Sequence, residues 1–195
     1  MNLKYYVDLD ARKGPGCYDS EEVNFLMSRM LRGTHMAIIQ ECGETSSNQY
    51  AIAIAFPLSC DKGHGGLLRI FSGDDKVLGR LLRHPNIHRY VRDLDAAVLE
   101  VPSIERFAIF SRNRLADRFS PSARRRADHR LKVYGFTTPT GKKKQPGFAI
   151  ASQSQSNGEA FLFRIQRLDL SAKPGPEGVG FNAYGLSKSA AVPMF

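Results

Sequence analysis

The sequence predicts an α+β protein with a ferredoxin-like N-terminal domain and a C-terminal α+β region that contains an arginine-rich helix. In the first half, apolar residues follow strand and helix periods in the order strand, helix, strand, strand, helix, strand. In the second half, a dense block of arginine and lysine coincides with a helical pattern. We place the ferredoxin-like domain at residues 1–105 and the C-terminal region, with its basic helix and C-terminal strands, at residues 106–195.

The first strand is predicted at residues 4–10, where alternate residues are apolar. Ser20 can cap the first helix, and two glutamates follow it in the first turn. We expect Gly33 to end this helix, because glycine is common just past a helix C-terminus. That boundary leaves His35 just beyond the helix.

The remaining elements follow from periodicity and from turn residues. A second helix opens within residues 72–75, and in the second half a helix is expected to run from Ser120 to about residue 134, followed by a basic loop at 137–147. Strands are expected at residues 50–56, 67–71, 97–101, 107–110, 148–152, 160–168 and 181–185.

The positive charge is concentrated in one part of the chain. The formal net charge is +9, whereas residues 106–144 alone hold twelve Lys and Arg against two Asp. A basic block on a nearly neutral remainder favours a surface that binds a polyanion. We expect a cytoplasmic protein with reduced thiols, because no apolar run could span a membrane, no signal-peptide pattern opens the chain, and the three cysteines lack metal-ligand spacing.

The predicted basic helix has two faces. An alanine-rich stripe can dock on the protein, while Arg125 lies opposite it and Arg124, Arg126 and Arg130 lie on its flanks. A solvated surface helix is one interpretation. Nucleic-acid binding is favoured, because arginine forms bidentate contacts with phosphate and few carboxylates interleave. A membrane-surface helix would need larger apolar residues in the stripe.

Two arginines precede this helix on a predicted extended segment. Arg112 and Arg114 are two residues apart, so they point to the same side of a strand. Each could form a bidentate contact with O6 and N7 of guanine. Surface salt bridges are the open alternative. No metal site is predicted: His84 and His88 have helical spacing, but Pro85 lies between them and no further ligand completes a set.

Two motifs near the C-terminus resemble those of a known family. Residues 154–161 read SQSNGEAF, residues 180–188 read GFNAYGLSK, and the chain ends in VPMF at 192–195. The chain resembles the CRISPR repeat-processing endoribonucleases of type I-F systems. This family has a ferredoxin-like N-terminal domain and an arginine-rich helix in its C-terminal region.

The resemblance implies a role for individual residues. His35 would be the catalytic histidine, and Tyr184 would support it. Ser154 would hold the ribose whose 2′-hydroxyl attacks, with Ser156 assisting nearby. Phe161 would stack on the closing base pair of the RNA hairpin.

The resemblance also assigns arginines to the RNA. Arg112 matches a residue that reads a guanine of the stem, while Arg114 stands where the family often has glutamine. Arginine favours guanine and glutamine favours adenine, so the repeat may differ at that base pair. Arg124 and Arg125 match arginines that enter the groove of the hairpin.

The implied function is cleavage of the CRISPR repeat hairpin by the RNA's own 2′-hydroxyl, without a metal or other cofactor. The products would be a 2′,3′-cyclic phosphate and a 5′-hydroxyl. The implied partners are the crRNA hairpin and the other subunits of the type I-F surveillance complex, with no membrane. Two alternatives stay open: a subunit that caps the hairpin without cutting it, and a general basic RNA-binding protein.

Overall fold

A computed structural model of the protein describes residues 2–14, 20–42, 50–60, 63–113, 147–153, 160–171 and 180–195. Helices and antiparallel sheets are mixed in it, which confirms the predicted α+β class. The predicted helix at 120–134 and nearly all of the basic loop at 137–147 lie outside the described residues.

The first sheet has four antiparallel strands in the spatial order β2-β3-β1-β4. Its strands are β1 (Tyr5–Asp10), β2 (Ile52–Ala55), β3 (Leu67–Ser72) and β4 (Leu99–Glu100). A 3-10 turn and three helices accompany it, namely Ala11–Lys13, α1 (Ser20–Cys42), α2 (Asp75–Arg83) and α3 (Pro85–Asp93). The element order is the predicted one with α3 added. The ferredoxin-like classification stays a prediction.

The second sheet is also antiparallel and has the order β6-β7-β5-β8. Its strands are β5 (Phe107–Arg112), β6 (Phe148–Gln153), β7 (Ala160–Leu170) and β8 (Val192–Pro193). The strands β2 and β6 are edge strands, which leaves one side of each open to another segment of the chain.

The prediction that Gly33 ends the first helix is wrong, because α1 continues to Cys42 and His35 lies inside it. A side chain is not tolerated at position 33: a Cβ there would come 2.4 Å from the carbonyl oxygen of Asn86. Gly33 is therefore the point where α1 and α3 touch. Its packing against α3 outweighs the low helix propensity of glycine.

The helix α3 was not predicted, because Pro85 reads as a break. In the structure Pro85 is at the start of the helix, where its missing N–H costs nothing. The ring of His84 caps this helix: Nδ1 accepts from the Asn86 N–H at 3.2 Å. Its Nε2 lies 2.6 Å from Oε1 of Gln40, so both ring nitrogens serve the fold.

The two sheets share one apolar core. The ring of Phe56, which follows β2, packs edge-on against Phe110 of β5 and Phe148 of β6, with centroids 5.8 and 5.1 Å apart. The predicted boundary at residue 105 falls between β4 and β5, and the division into two domains stays a prediction. Because the core crosses this boundary, a change in one sheet reaches the other through packed side chains.

Two further findings concern membrane-spanning helices and free cysteines. No helix in the described segments is long and apolar enough to cross a membrane. Cys60 carries a free, exposed thiol, whereas Cys17 lies outside the described residues.

The two glycines inside helices give a matched test of the packing. Gly33→Ala should lower the free energy of unfolding by about 1–3 kcal/mol, because its new methyl group forces α3 away from α1. Gly79→Ala should raise it by about 0.5–1 kcal/mol, since the nearest atom to its Cβ is Nη1 of Arg83 at 3.7 Å. Urea unfolding followed by circular dichroism measures both. Equal effects of the two substitutions would refute the contact at Gly33.

Candidate active site

Residues 181–187 form a tight turn, whereas the sequence alone predicts a strand here. The prediction of a strand at 181–185 is wrong: Phe181 makes an isolated bridge, and residues 183–184 form a turn. Oδ1 of Asn182 accepts from the Tyr184 N–H at 2.8 Å, and Gly185 has a φ of +67°, which favours glycine. The side chain of Asn182 and the left-handed Gly185 together bend the chain.

This turn is fastened to the free edge of β2. The N–H of Ile54 donates to the carbonyl of Gly185 at 2.9 Å, and the N–H of Tyr50 donates to the carbonyl of Phe181 at 2.8 Å. The fit at Gly185 is close, because a Cβ there would lie 2.8–2.9 Å from Ile54. Farther along, Ser187 donates its N–H to the carbonyl of Phe110 at 3.0 Å. The segment therefore joins the first sheet to the second.

His35 meets this turn from α1. It follows Leu31 by four residues and precedes Ile38 by three, so it lies on the side of the helix that faces the core. Leu31 and Ile38 are buried, whereas His35 is half-buried. The helix thus holds the imidazole rigidly at the margin of the core with one part still accessible.

The rings of His35 and Tyr184 are stacked face to face. Their centroids are 3.7 Å apart and their planes differ by 5°. A hydrogen bond of 2.8 Å joins Nδ1 of His35 to the carbonyl oxygen of Ala183, the residue before Tyr184. One turn of the tail therefore supplies both the stacking surface and the hydrogen-bond acceptor for the imidazole.

The hydrogen bond to Ala183 selects the tautomer of His35. A carbonyl oxygen can only accept, so Nδ1 must carry the proton. In the neutral ring, Nε2 then has a lone pair and can take up a proton. Burial lowers the pKa of His35 below its usual value of 6.5, and the bond to Ala183 opposes this by a smaller amount. The imidazole is therefore neutral at pH 7.

The stack continues into the second sheet. The ring of Phe163 on β7 lies against Tyr184, with centroids 4.7 Å apart and planes inclined by 35°. The guanidinium carbon of Arg112 is 5.0 Å from the centroid of Phe163, which is within the range of a cation–π contact. A row of four side chains thus connects the candidate catalytic histidine to a candidate RNA-binding arginine.

Of the site residues predicted from the sequence, the structure brings together His35, Tyr184 and Arg112. Phe161 lies in β7, where the backbone of Ser152 is paired with it. The other predicted residues lie outside the described residues, namely Arg114, Arg124, Arg125, Arg126, Arg130, Ser154 and Ser156. In sequence, Ser154 directly follows the last residue of β6, and β6 packs against α1.

Two contributors were missed from the sequence. The carbonyl of Ala183 gives no sequence signal, because every residue has a carbonyl and only the turn aims this one at His35. Phe163 could have been found from its alternation with Ile165 in β7, which places both on the inner face of the sheet. In the described segments, no three His, Cys, Asp or Glu side chains gather in a way that could hold a metal ion.

Comparison with known proteins identifies the family. A family model described as CRISPR-associated protein (Cas_Csy4) matches residues 6–195, which is nearly the whole chain. The chain belongs to the Cas_Csy4 family. This confirms the resemblance to type I-F CRISPR endoribonucleases and supports CRISPR repeat processing and RNA binding as its function. A search of curated proteins finds no match.

The role of the tyrosine ring in this Cas_Csy4 protein can be tested before any RNA is added. Tyr184→Ala should raise the pKa of His35 toward 6.5, because it removes the ring that buries one face of the imidazole. Tyr184→Phe should leave this pKa nearly unchanged, since the stacked ring remains. NMR titration of the His35 ring protons measures both. A similar rise in both variants would show that the hydroxyl, rather than the ring face, supports His35.

Proposed function

We propose that this protein cleaves the repeat hairpin of pre-crRNA without a metal ion. The 2′-oxygen next to the cleavage point bonds to phosphorus, and the bond from phosphorus to the 5′-oxygen breaks. The attacking hydroxyl gives its proton to Nε2 of His35, the departing 5′-oxygen takes a proton from water, and His35 then returns its proton to the solvent. The products are a 2′,3′-cyclic phosphate and a 5′-hydroxyl.

One observation carries the proposal: the His35 ring is stacked on Tyr184 and bonded through Nδ1 to the Ala183 carbonyl, which leaves Nε2 as the nitrogen that can accept a proton. The stack on Tyr184 and the bond to the Ala183 carbonyl restrict the ring. A general base must be neutral at the working pH and must lie in a fixed position, and both conditions favour His35. Tyr184 is in this scheme a positioning residue, because it acts through the ring it supports.

The remaining roles rest on family membership and on where the strands end. β6 runs beside α1 and ends at Gln153, so the chain leads to Ser154 from a strand that packs on the helix of His35. This supports Ser154 as the group that orients the ribose. Phe161 would stack on the base pair at the bottom of the stem, and Arg112 would read a guanine.

The rest of the RNA interface lies in the basic block. The arginines at 114, 124, 125, 126 and 130 would contact the hairpin, with Ser156 near the ribose. The major groove of A-form RNA is deep and narrow, so protein side chains would enter it only near an end or a loop. A short hairpin therefore suits binding by the basic block. After cleavage the protein would stay on the crRNA as a subunit of the type I-F surveillance complex.

The chemistry is tested by cleaving a radiolabelled repeat hairpin in excess EDTA. The unmodified protein should cut fully, and His35→Ala should cut about 10²–10⁴-fold more slowly, the usual contribution of a general base. His88→Ala is the matched control, because His88 is exposed on α3. Loss of cutting in EDTA would refute the metal-free mechanism.

The same RNA distinguishes cutting from capping. A 2′-deoxy substitution at the nucleotide before the cut should abolish cleavage and leave binding intact, because it removes the nucleophile. Tight binding of an unsubstituted hairpin that remains intact through long incubation would instead support the non-catalytic capping subunit.

The protonation state of His35 sets the pH dependence. As a base, it requires the neutral ring, so kcat/KM should fall as the pH drops below 6.5 and should be flat from about pH 7 upward. Single-turnover cleavage at subsaturating protein measures this profile. The His35→Ala variant should lack the acid limb. A rate that instead rises as the pH drops below 6.5 would assign His35 as the acid.

A further inference from the structure

A groove of about 710 Å³ runs along α1 on the side that leads to His35. Its walls are α1, the start of α3 and the edge strand β6, and Gly33 and Asn86 lie at its base. Ser28, which lines it, precedes His35 by seven residues and so lies on nearly the same face of the helix, about 10 Å away. Met36, the residue after His35 in α1, also lines the groove, so one end of the groove lies next to the helix position of His35.

The groove is lined by cations. Arg29 and Arg32 from α1 and Arg89 from α3 all face it. Within the described part of the chain, neither Arg29 nor Arg32 is within salt-bridge distance of a carboxylate, whereas Arg69 and Arg92 are paired with aspartates. The lining also contains Glu21, one helical turn before Phe25, so the groove is cationic from Arg29 onward and carries an acidic residue at its far end.

An exposed aromatic ring accompanies these arginines. Phe25 is 63% exposed, and the guanidinium carbon of Arg29 lies 5.3 Å from the centroid of its ring. An accessible ring beside arginines is the combination with which proteins bind single-stranded nucleic acid: cations follow the backbone and bases stack on the ring. The interior of a paired stem does not suit it, because its bases are stacked on each other, and the terminal base pair at the bottom of the stem is already assigned to Phe161.

We propose that this groove binds unpaired RNA that flanks the base of the hairpin. Arg29 and Arg32 contact its phosphates, and a base stacks on Phe25. The inference rests on the proposed cleavage function, and it adds a second RNA contact that none of the predicted arginines of residues 106–144 supplies. The unpaired segment can come from either side of the hairpin.

The test measures binding of the unmodified protein to RNA that carries the 2′-deoxy substitution before the cut and therefore cannot be cleaved. Three RNAs are compared: the hairpin alone, the hairpin with unpaired nucleotides before the stem, and the hairpin with unpaired nucleotides beyond the cut. At least one flanked RNA should bind more tightly than the hairpin alone, and the RNA that gains identifies the segment in the groove. Equal affinity for all three would overturn the proposal.

Substitutions of groove residues test whether the tighter binding of flanked RNA arises in the groove. The double variant Arg29→Gln with Arg32→Gln should bind flanked RNA no more tightly than the hairpin alone. The slope of log K against log salt concentration should become shallower by about 1.4, because each phosphate contact on a single strand contributes about 0.7. Phe25→Ala should weaken the flanked RNA by about 5-fold or more. Arg80→Gln with Arg83→Gln removes the same charge from the exposed surface of α2 and is the matched control.

The outcomes separate this inference from the proposed function. If the two double variants weaken flanked RNA equally, the effect is only bulk charge and the groove is not an RNA site. If the groove variants leave RNA binding unchanged but prevent assembly with other subunits, an acidic protein segment occupies the groove and the RNA proposal is wrong. Failure of the proposed function is a different result, namely an unmodified protein that leaves the hairpin uncut, whatever its affinity for the flanked RNAs.

Discussion

The site depends on one constraint, the docking of the C-terminal turn on the free edge of β2. The N–H of Ile54 bonds to the carbonyl of Gly185, and the close approach leaves no room for a side chain at that position. With Gly185 fixed, the two preceding residues have fixed directions: the carbonyl of Ala183 and the ring of Tyr184 both reach His35. The turn thereby covers an edge strand that would otherwise be exposed. It also supplies His35 of α1 with its stacking partner and its hydrogen-bond acceptor.

The same docking explains the electrostatics of the site. Tyr184 covers one face of the imidazole and is itself supported by Phe163 of the second sheet. This burial lowers the pKa of His35, while the Ala183 carbonyl determines which nitrogen holds the proton. Stacking and hydrogen bonding thus act together: the first keeps the ring neutral, and the second leaves Nε2 as the available base. Through Phe163, the row also reaches Arg112, so the proposed catalytic histidine and the proposed RNA-reading arginine share one support.

Much of the fold could be predicted because local patterns and tertiary packing agree. Val7 and Leu9 alternate in β1 and are fully buried, as the period of two requires. The failures occur where packing overrides local preference. Gly33 has the propensity of a helix end but lies within α1, because α3 needs the space of its missing side chain. Pro85 looks like a break in the chain but begins α3, because His84 caps the helix from outside.

The sequence by itself determined the α+β class, the family and the identity of the chemical groups, because apolar periods and spaced motifs are properties of the chain. It could nominate His35 and Tyr184, which are 149 positions apart. Only the tertiary structure decided that their rings stack, which nitrogen of His35 is protonated, and that arginines of α1 line a groove leading to the site. The physical reason is that these properties depend on distance and burial between segments remote in sequence, and no local pattern encodes the edge of β2 on which the tail rests.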